Sequence, residues 1–259
     1  MKRLVFLLLA ITASITSAFA AEDVRAAQSR LKQEGFYLGE LNGIYDSETA
    51  AAVSRYQIRN GLEISGQLDG KTAKALGLKG AKGDAKASES GSEAWRHLRK
   101  PDRQYLAKVD SSKVSTLSAT PSGPKPPADG EYQMLGLSRE RLRDYVGAFV
   151  LAGLDPEVGA EIEFFADRVK YYEDGILDRE KIRRDLQRYN KRWPERHFWL
   201  HGEIDVQPQA DSSLRVSFPL RFELRNGSRR SSGKVQKELL LEVTGEDLQI
   251  IGVSERKIK

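Results

Sequence analysis

Two stretches near the start of the chain share one phrase, Gly43-Ile44-Tyr45-Asp46-Ser47-Glu48-Thr49 and Gly66-Gln67-Leu68-Asp69-Gly70-Lys71-Thr72. Gly, Asp and Thr fall at the same offsets, and an apolar or aromatic residue precedes each Asp. Gly permits a left-handed backbone ahead of a helix. Asp is a strong N-cap, because its carboxylate accepts the orphan amides of the first turn and sits at the positive end of the helix dipole. Thr three residues later can return a hydrogen bond, as in a capping box. The phrase predicts two helices that begin alike, one from Asp46 and one from Asp69.

The flanks complete a small all-α module. Val24, Ala27 and Leu31 recur at helical spacing and Gly35 fits a C-cap. Phe36, Tyr37 and Leu38 form an apolar turn, and Asn42-Gly43 is a turn dipeptide. The second helix carries Ala50, Val53, Tyr56 and Gln57 on one side and stops at Asn60-Gly61. Leu62 and Ile64 bridge to a short third helix that ends at Gly77. A module of about 55 residues is marginal for a core without disulfides, so its aromatics are expected to be structural.

On these residues the stretch 23–78 resembles the peptidoglycan-binding-like domain found on many cell-wall enzymes. Gln28 and Leu31 match its first helix. Gly35-Phe36-Tyr37, Gly39 and Asn42-Gly43-Ile44-Tyr45 match its turn, where the family more often has Asp than Asn42. Thr49, Ala52-Val53, Tyr56-Gln57 and Asn60-Gly61-Leu62 match its second helix, and Gly66, Leu68-Asp69, Thr72 and Leu76 its third. The resemblance implies a non-catalytic three-helix module over 22–78 that attaches its host to the bacterial wall. Aromatic and polar side chains often grip sugars, which makes Tyr37, Asn42, Arg55, Tyr56 and Gln57 the candidate ligand-binding residues. Each also has a structural role open to it: Tyr56 in the core, Asn42 in the turn.

The totals narrow the function classes. The chain has 259 residues, 39% hydrophobic and 31% charged, with a net charge of +5. Residues 22–78 hold seven basic and eight acidic residues, and 131–259 hold 23 of each. The excess lies in the leader and in 79–130, which has ten basic against six acidic residues. A dedicated nucleic-acid face needs a basic stripe on a domain, so nucleic acid is not an expected partner. The absence of Cys removes thiol nucleophiles, disulfides, Cys-ligated metals and a lipidated Cys.

Residues 1–20 have the order of a secretory signal peptide: Lys2 and Arg3, the apolar run Leu4–Ala10, then Ala18-Phe19-Ala20 as a small-x-small cleavage site. The apolar core is too short for a membrane anchor. Export to the periplasm or cell envelope, with no transmembrane span after cleavage, is the expectation. Residues 79–130 are expected to be a disordered linker. Lys79–Gly91 is a run of small and charged residues without periodicity, and Pro121–Pro127 holds four prolines. Between them Glu93–Lys100 forms an island with Trp95 at its centre.

The segment 131–259 changes character. Ser138 can cap a helix running to Leu154, with Leu142, Tyr145, Val146 and Phe149 on one face. A second helix is predicted from Asp155-Pro156 through Ile162, Phe165, Val169 and Tyr172 to Gly175. A third starts at Asp178 and ends before Trp193-Pro194. The period then becomes two, giving antiparallel strands over 198–206, 214–224, 234–243 and 248–254. Helices followed by strands imply an α+β domain with helices packed on a curved antiparallel sheet. The phrases Phe164–Tyr172 with Gly175, and Arg192-Trp193-Pro194, resemble the cone-shaped nuclear transport factor 2-like domain over about 138–256. That superfamily includes ketosteroid isomerases and dehydratases, and also members without activity.

Catalytic sets are sparse. A zinc amidase needs several ligands, usually His with a carboxylate. His97 lies in the linker, and His197 and His201 with Glu203 flank a strand start, which reads more simply as polar residues at the surface. No metal or cofactor is expected. Isomerases of the conical fold use an Asp base and an acid that donates to an oxyanion. Asp167, Tyr171, Tyr172, Trp193 and Trp199 are the corresponding pocket candidates, with a rim salt bridge from Asp167 and aromatic filling of the cone as the plainer roles. The chain is therefore expected to be a non-catalytic wall-associated protein. It would bind peptidoglycan through its first domain, and a ligand, an envelope protein or a second copy of itself through its second. The alternatives are an enzyme acting on a wall fragment or small metabolite through the conical domain, and an envelope protein-interaction module without glycan binding.

Overall fold

The computed structural model describes residues 21–78, 93–102, 105–106, 137–155, 159–209, 212–245 and 247–258. Residues 1–20, expected to be a signal peptide, and most of 79–130, including the proline run, lie outside the described residues. Among the described residues no helix is long and apolar enough to cross a membrane.

The first unit holds α1 (Ala21–Gln33), α2 (Ser47–Arg59) and α3 (Gly70–Ala75). Both repeated phrases act as caps. The Asp46 carboxylate accepts from Thr49 N at 2.8 Å and Asp69 from Thr72 N at 2.7 Å. The threonine hydroxyls do something else. Each meets a fully buried glutamine from the preceding helix. Gln28 accepts from Gly43 N and donates to Ile44 O and Thr49 Oγ1. Gln57 accepts from Gly66 N and donates to Gln67 O and Thr72 Oγ1. Gly43 and Gly66 sit at φ +75° and +63°, which a residue with Cβ tolerates poorly. Each glutamine thus satisfies the buried polar groups of one repeat and locks its turn.

The second unit is a helix–sheet layer. Ser138 caps α5 (Arg139–Ala152), and Asp178 caps α6 (Arg179–Arg192). The sheet holds β1 (Phe165–Tyr171), β2 (Ile176–Asp178), β3 (Glu195–Leu200), β4 (Asp205–Pro208), β5 (Ser213–Asn226), β6 (Arg229–Thr244) and β7 (Asp247–Ile258). Its order is β2-β1-β7-β6-β5-β3, with β4 beside β5. A two-residue loop, Gly227-Ser228 with Gly227 at φ +57°, joins β5 to β6. Irregular register at Leu240/Leu241 and between Phe165 and Lys170 bends the sheet around the helices. The fold class expected from sequence is present: a small all-α module and a helix-plus-curved-sheet domain.

Several expectations need correction. The helix predicted from Asp155 to Gly175 is a 3-10 turn, Ala160–Phe164, followed by strand β1. Ile162, Phe165, Val169 and Tyr172 carry helical spacing, but Val169 and Tyr171 are the inward pair of a strand held between β2 and β7. β-branched and aromatic residues suit that pleated surface. The sheet is also not wholly antiparallel, since β1 and β7 run parallel. The strand predicted over 198–206 is two strands, β3 and β4, broken at Gly202 with φ +101°.

The island in the linker also differs from expectation. Residues Ala94–Arg99 form a helix, α4, with Ala94, Trp95 and Leu98 buried. Trp95 packs on Phe164 and donates through Nε1 to Asp155 at 2.9 Å. Its helix lies against both α2 and α5. An amphipathic turn this short has no stability of its own and takes it from tertiary packing.

Helix α4 is one part of a wider contact between the units. Ala50, Ala51, Ile58 and Ile64 of the first unit belong to the core of the second. Gly147 of α5 leaves room for Ile58, whose Cδ1 occupies the space a Cβ would need. The segment before α3 pairs with the edge of the sheet: Ile64 N donates to Phe198 O at 2.9 Å, and Glu63 bridges Trp199. This covers an edge that would otherwise expose unpaired backbone groups.

Candidate functional site

Two regions carry candidate residues, the outer face of the helical module and a cavity in the second unit. On the module, four of the five predicted ligand-binding residues are interior side chains. Tyr37 is 2% exposed, and its hydroxyl donates to Glu40 O at 2.8 Å. Tyr56 is 4% exposed and packs edge-to-face on Phe36. Gln57 is the buried staple of the second repeat. Arg55 is buried at the junction of the units, paired with Asp144 at 3.3 Å and Asp102 at 3.2 Å, and stacked over the Tyr105 ring at 4.4 Å. Arg59 joins the same network through Glu140 and Asp144. A sugar could reach these four groups only by displacing partners already in place.

Asn42 alone of the five is exposed. Its Oδ1 accepts from Gln28 Nε2 and from Ile44 N, which fixes the turn. Two large apolar side chains flank it, Leu41 and Ile44, exposed by 41% and 61%. Arg25 reaches across from α1 to donate to Leu41 O at 3.0 Å. The turn Leu41–Ile44 is therefore a rigid, exposed, partly apolar ridge on a unit whose α2 side is occupied by the second unit.

The cavity measures about 410 Å³ and lies between α5, α6 and the concave face of the sheet. Phe149, Phe165, Leu186, Phe198, Phe222 and Leu224 form apolar walls. Of the predicted pocket residues, Tyr171 and Tyr172 line it. The Tyr171 hydroxyl donates to Asp185 at 3.1 Å, and burial pushes its pKa up. Tyr172 holds φ +46°, a strained backbone for an aromatic residue. Its hydroxyl meets Lys237 Nζ at 2.7 Å, and Lys237 also pairs with Glu255 at 2.9 Å. Burial alone would lower the Lys237 ammonium pKa, but these two partners raise it above the ordinary value. The Tyr189 hydroxyl is pushed up to about 12 by burial.

Asp167, Trp193 and Trp199 are not part of that lining. The Asp167 side chain is 96% exposed and pairs loosely with Arg179 at 3.9 Å. Trp193 is buried beneath Arg192 and Arg229. Trp199 lies under Arg221 beside His197. His197 itself bonds Glu63 across the unit junction, while Glu203 pairs with Arg143, so the His–Glu cluster of the sequence is dispersed.

Sequence reasoning missed Glu161 and Arg196. Glu161 is 6% exposed, lines the cavity, and its Oε2 lacks a hydrogen-bond partner among the described residues. Burial raises its pKa, opposed by its own backbone amide and by Arg196. The Arg196 guanidinium donates to Trp193 O and Gly153 O, and burial lowers its pKa. A lone Glu in a predicted helix gave no sign of this placement.

The helical module has a family. Residues 20–76 match the family described as "Putative peptidoglycan binding domain". Spore cortex-lytic enzymes of Bacillus cereus are 36% identical over 72 residues, which is 28% of this chain and 27% of theirs. The chain thus spans about a quarter of the length of those curated relatives. Among solved structures, Aln2 from a Streptomyces species is 11% identical, covering 51% of this chain and 94% of its own, at TM-score 0.40. A cystatin-like-fold protein from Caulobacter vibrioides is 14% identical, covering 45% and 89%, at TM-score 0.37.

Proposed function

We propose that this is an exported, non-catalytic cell-wall protein. Its helical module binds peptidoglycan, and its second domain binds a ligand or partner. The observation that carries this reading is the match of residues 20–76 to the peptidoglycan-binding family, on a module with one rigid exposed ridge. The ridge Leu41-Asn42-Ile44 with Arg25 offers what sugar recognition uses, an apolar surface beside polar groups held in place by other bonds. Export belongs to the same reading, from the order of charged, apolar and small residues in 1–20.

Amide hydrogen exchange of the full chain, with and without soluble peptidoglycan fragments, tests the assignment. Protection concentrated at residues 40–45 is the expected result. Protection elsewhere on the module, with none at 40–45, would overturn the choice of face.

A further inference from the structure

The second domain has no net charge, yet its charges are separated. Lys191, Arg192, Arg229, Arg230, Lys234, Arg256 and Lys257 are exposed, and none of them makes an ion pair with another described residue. They come from the last turn of α6, the first part of β6 and the end of β7. Strand alternation sorts them by face. Ser231, Val235, Lys237 and Glu255 line the cavity. Arg229 shares the parity of Ser231, and Lys257 that of Glu255, so both stand on the cavity side just beyond the lining. Arg192 lies one turn past Tyr189, and it and Arg229 each stack on the Trp193 ring, at 5.8 and 5.6 Å. Of the acids at this end, Asp185 is engaged by Arg188 and Tyr171 and Glu255 by Lys237, while Glu195 alternates with the cavity-lining Arg196 and so stands on the other face of β3.

An aromatic cavity within a cationic rim selects for a particular kind of molecule. Apolar walls favour a chain or ring system. Rim cations without an ion-pair partner among the described residues favour an anionic group that stays near water, where the desolvation cost is small. Within the cavity, burial raises the Glu161 pKa, and Lys237 is paired with Glu255.

We propose that this cavity and its rim form one binding site for a single-chain anionic amphiphile. The apolar chain lies against Phe165, Phe198 and Phe222, and a carboxylate or phosphate head lies at Arg192, Arg229 and Lys257. The proposal rests on the ligand-binding role given above to the second domain and is independent of wall attachment.

Calorimetric titration of the full chain below micellar concentrations tests it, with dodecanoate, dodecyl phosphate, dodecyltrimethylammonium and inorganic phosphate as separate probes. One or both anionic amphiphiles should bind at one per chain, and the tighter one identifies the head group. The ammonium analogue should bind at least about tenfold more weakly, and inorganic phosphate alone should give no heat. Ser231→Phe, which fills the cavity, should abolish binding. Arg229→Glu with Lys257→Glu, exposed and away from the core, should weaken it about tenfold with unfolding unchanged. Equal affinity for the ammonium analogue, indifference to both variants, or no binding of either anionic amphiphile would overturn the proposal. Peptidoglycan plays no part in these titrations, so their failure leaves the wall reading standing, and the reverse holds too.

Discussion

At the scale of single residues, the module is governed by polar groups that never reach solvent. Gln57 satisfies both amides and the carbonyl of one tight turn together with a threonine hydroxyl. Gln57→Leu keeps the volume and orphans those groups, and should cost about 2–4 kcal/mol in chemical denaturation. If Gln57 served a ligand instead, the variant would be nearly as stable as the wild type. Glu161 gives a pH-dependent test. Its carboxyl pKa is raised in the folded state by burial, with Arg196 opposing and Asp155 reinforcing the shift. Between the ordinary and the raised pKa the folded state therefore binds more protons than the unfolded chain. The stability this contributes is complete below the ordinary carboxylate pKa and is lost as pH rises through the raised one. Glu161→Gln should match the wild type near pH 4 and exceed it by about 1–2 kcal/mol at neutral pH. A stability difference independent of pH would contradict the assignment. The aspartate caps at 46 and 69 were legible in the sequence, because a cap is a local device. The role of Arg55 was not, because its partner lies elsewhere: Asp144 is 89 residues from it.

At the scale of elements, legibility followed length and locality. Helices α1, α2, α5 and α6 and the long hairpin β5–β6 carry strong periodicity and local caps, and each stands near its predicted place. Residues 160–175 mislead because apolar spacing over so short a run fits a helix and a buried strand equally well. The parallel partner β7, far along the chain, decides for the strand. Helix α4 misleads for the same reason in reverse. Its six residues look unstable alone, and only the groove between α2 and α5 stabilises them. Trp95 is the anchor, 1% exposed and bonded to Asp155. Trp95→Ala should cost about 3–5 kcal/mol by denaturation and expose the 93–102 segment to protease. An unchanged midpoint with no new cleavage would contradict a clamp at that position.

At the scale of the molecule, two units that read as beads on a linker are packed together. They share a core through Ile58 and Ile64, a strand-edge hydrogen bond at Ile64, and the buried Arg55–Asp144 pair. Removing one partner of such a pair leaves the other as an uncompensated buried charge and costs about 3–5 kcal/mol. The docking hides the α2 side of the module and leaves the Leu41–Ile44 ridge outward, with the cavity in the other unit. A zero net charge for the second domain concealed its basic end, since composition carries no information about which residues the sheet gathers.

Co-sedimentation of the full chain with purified peptidoglycan sacculi tests the central claim most directly. The protein should pellet with the sacculi and release when they are digested, and Leu41→Glu with Ile44→Glu should leave it in the supernatant while still folded. Wild-type protein that stays wholly in the supernatant would contradict the account.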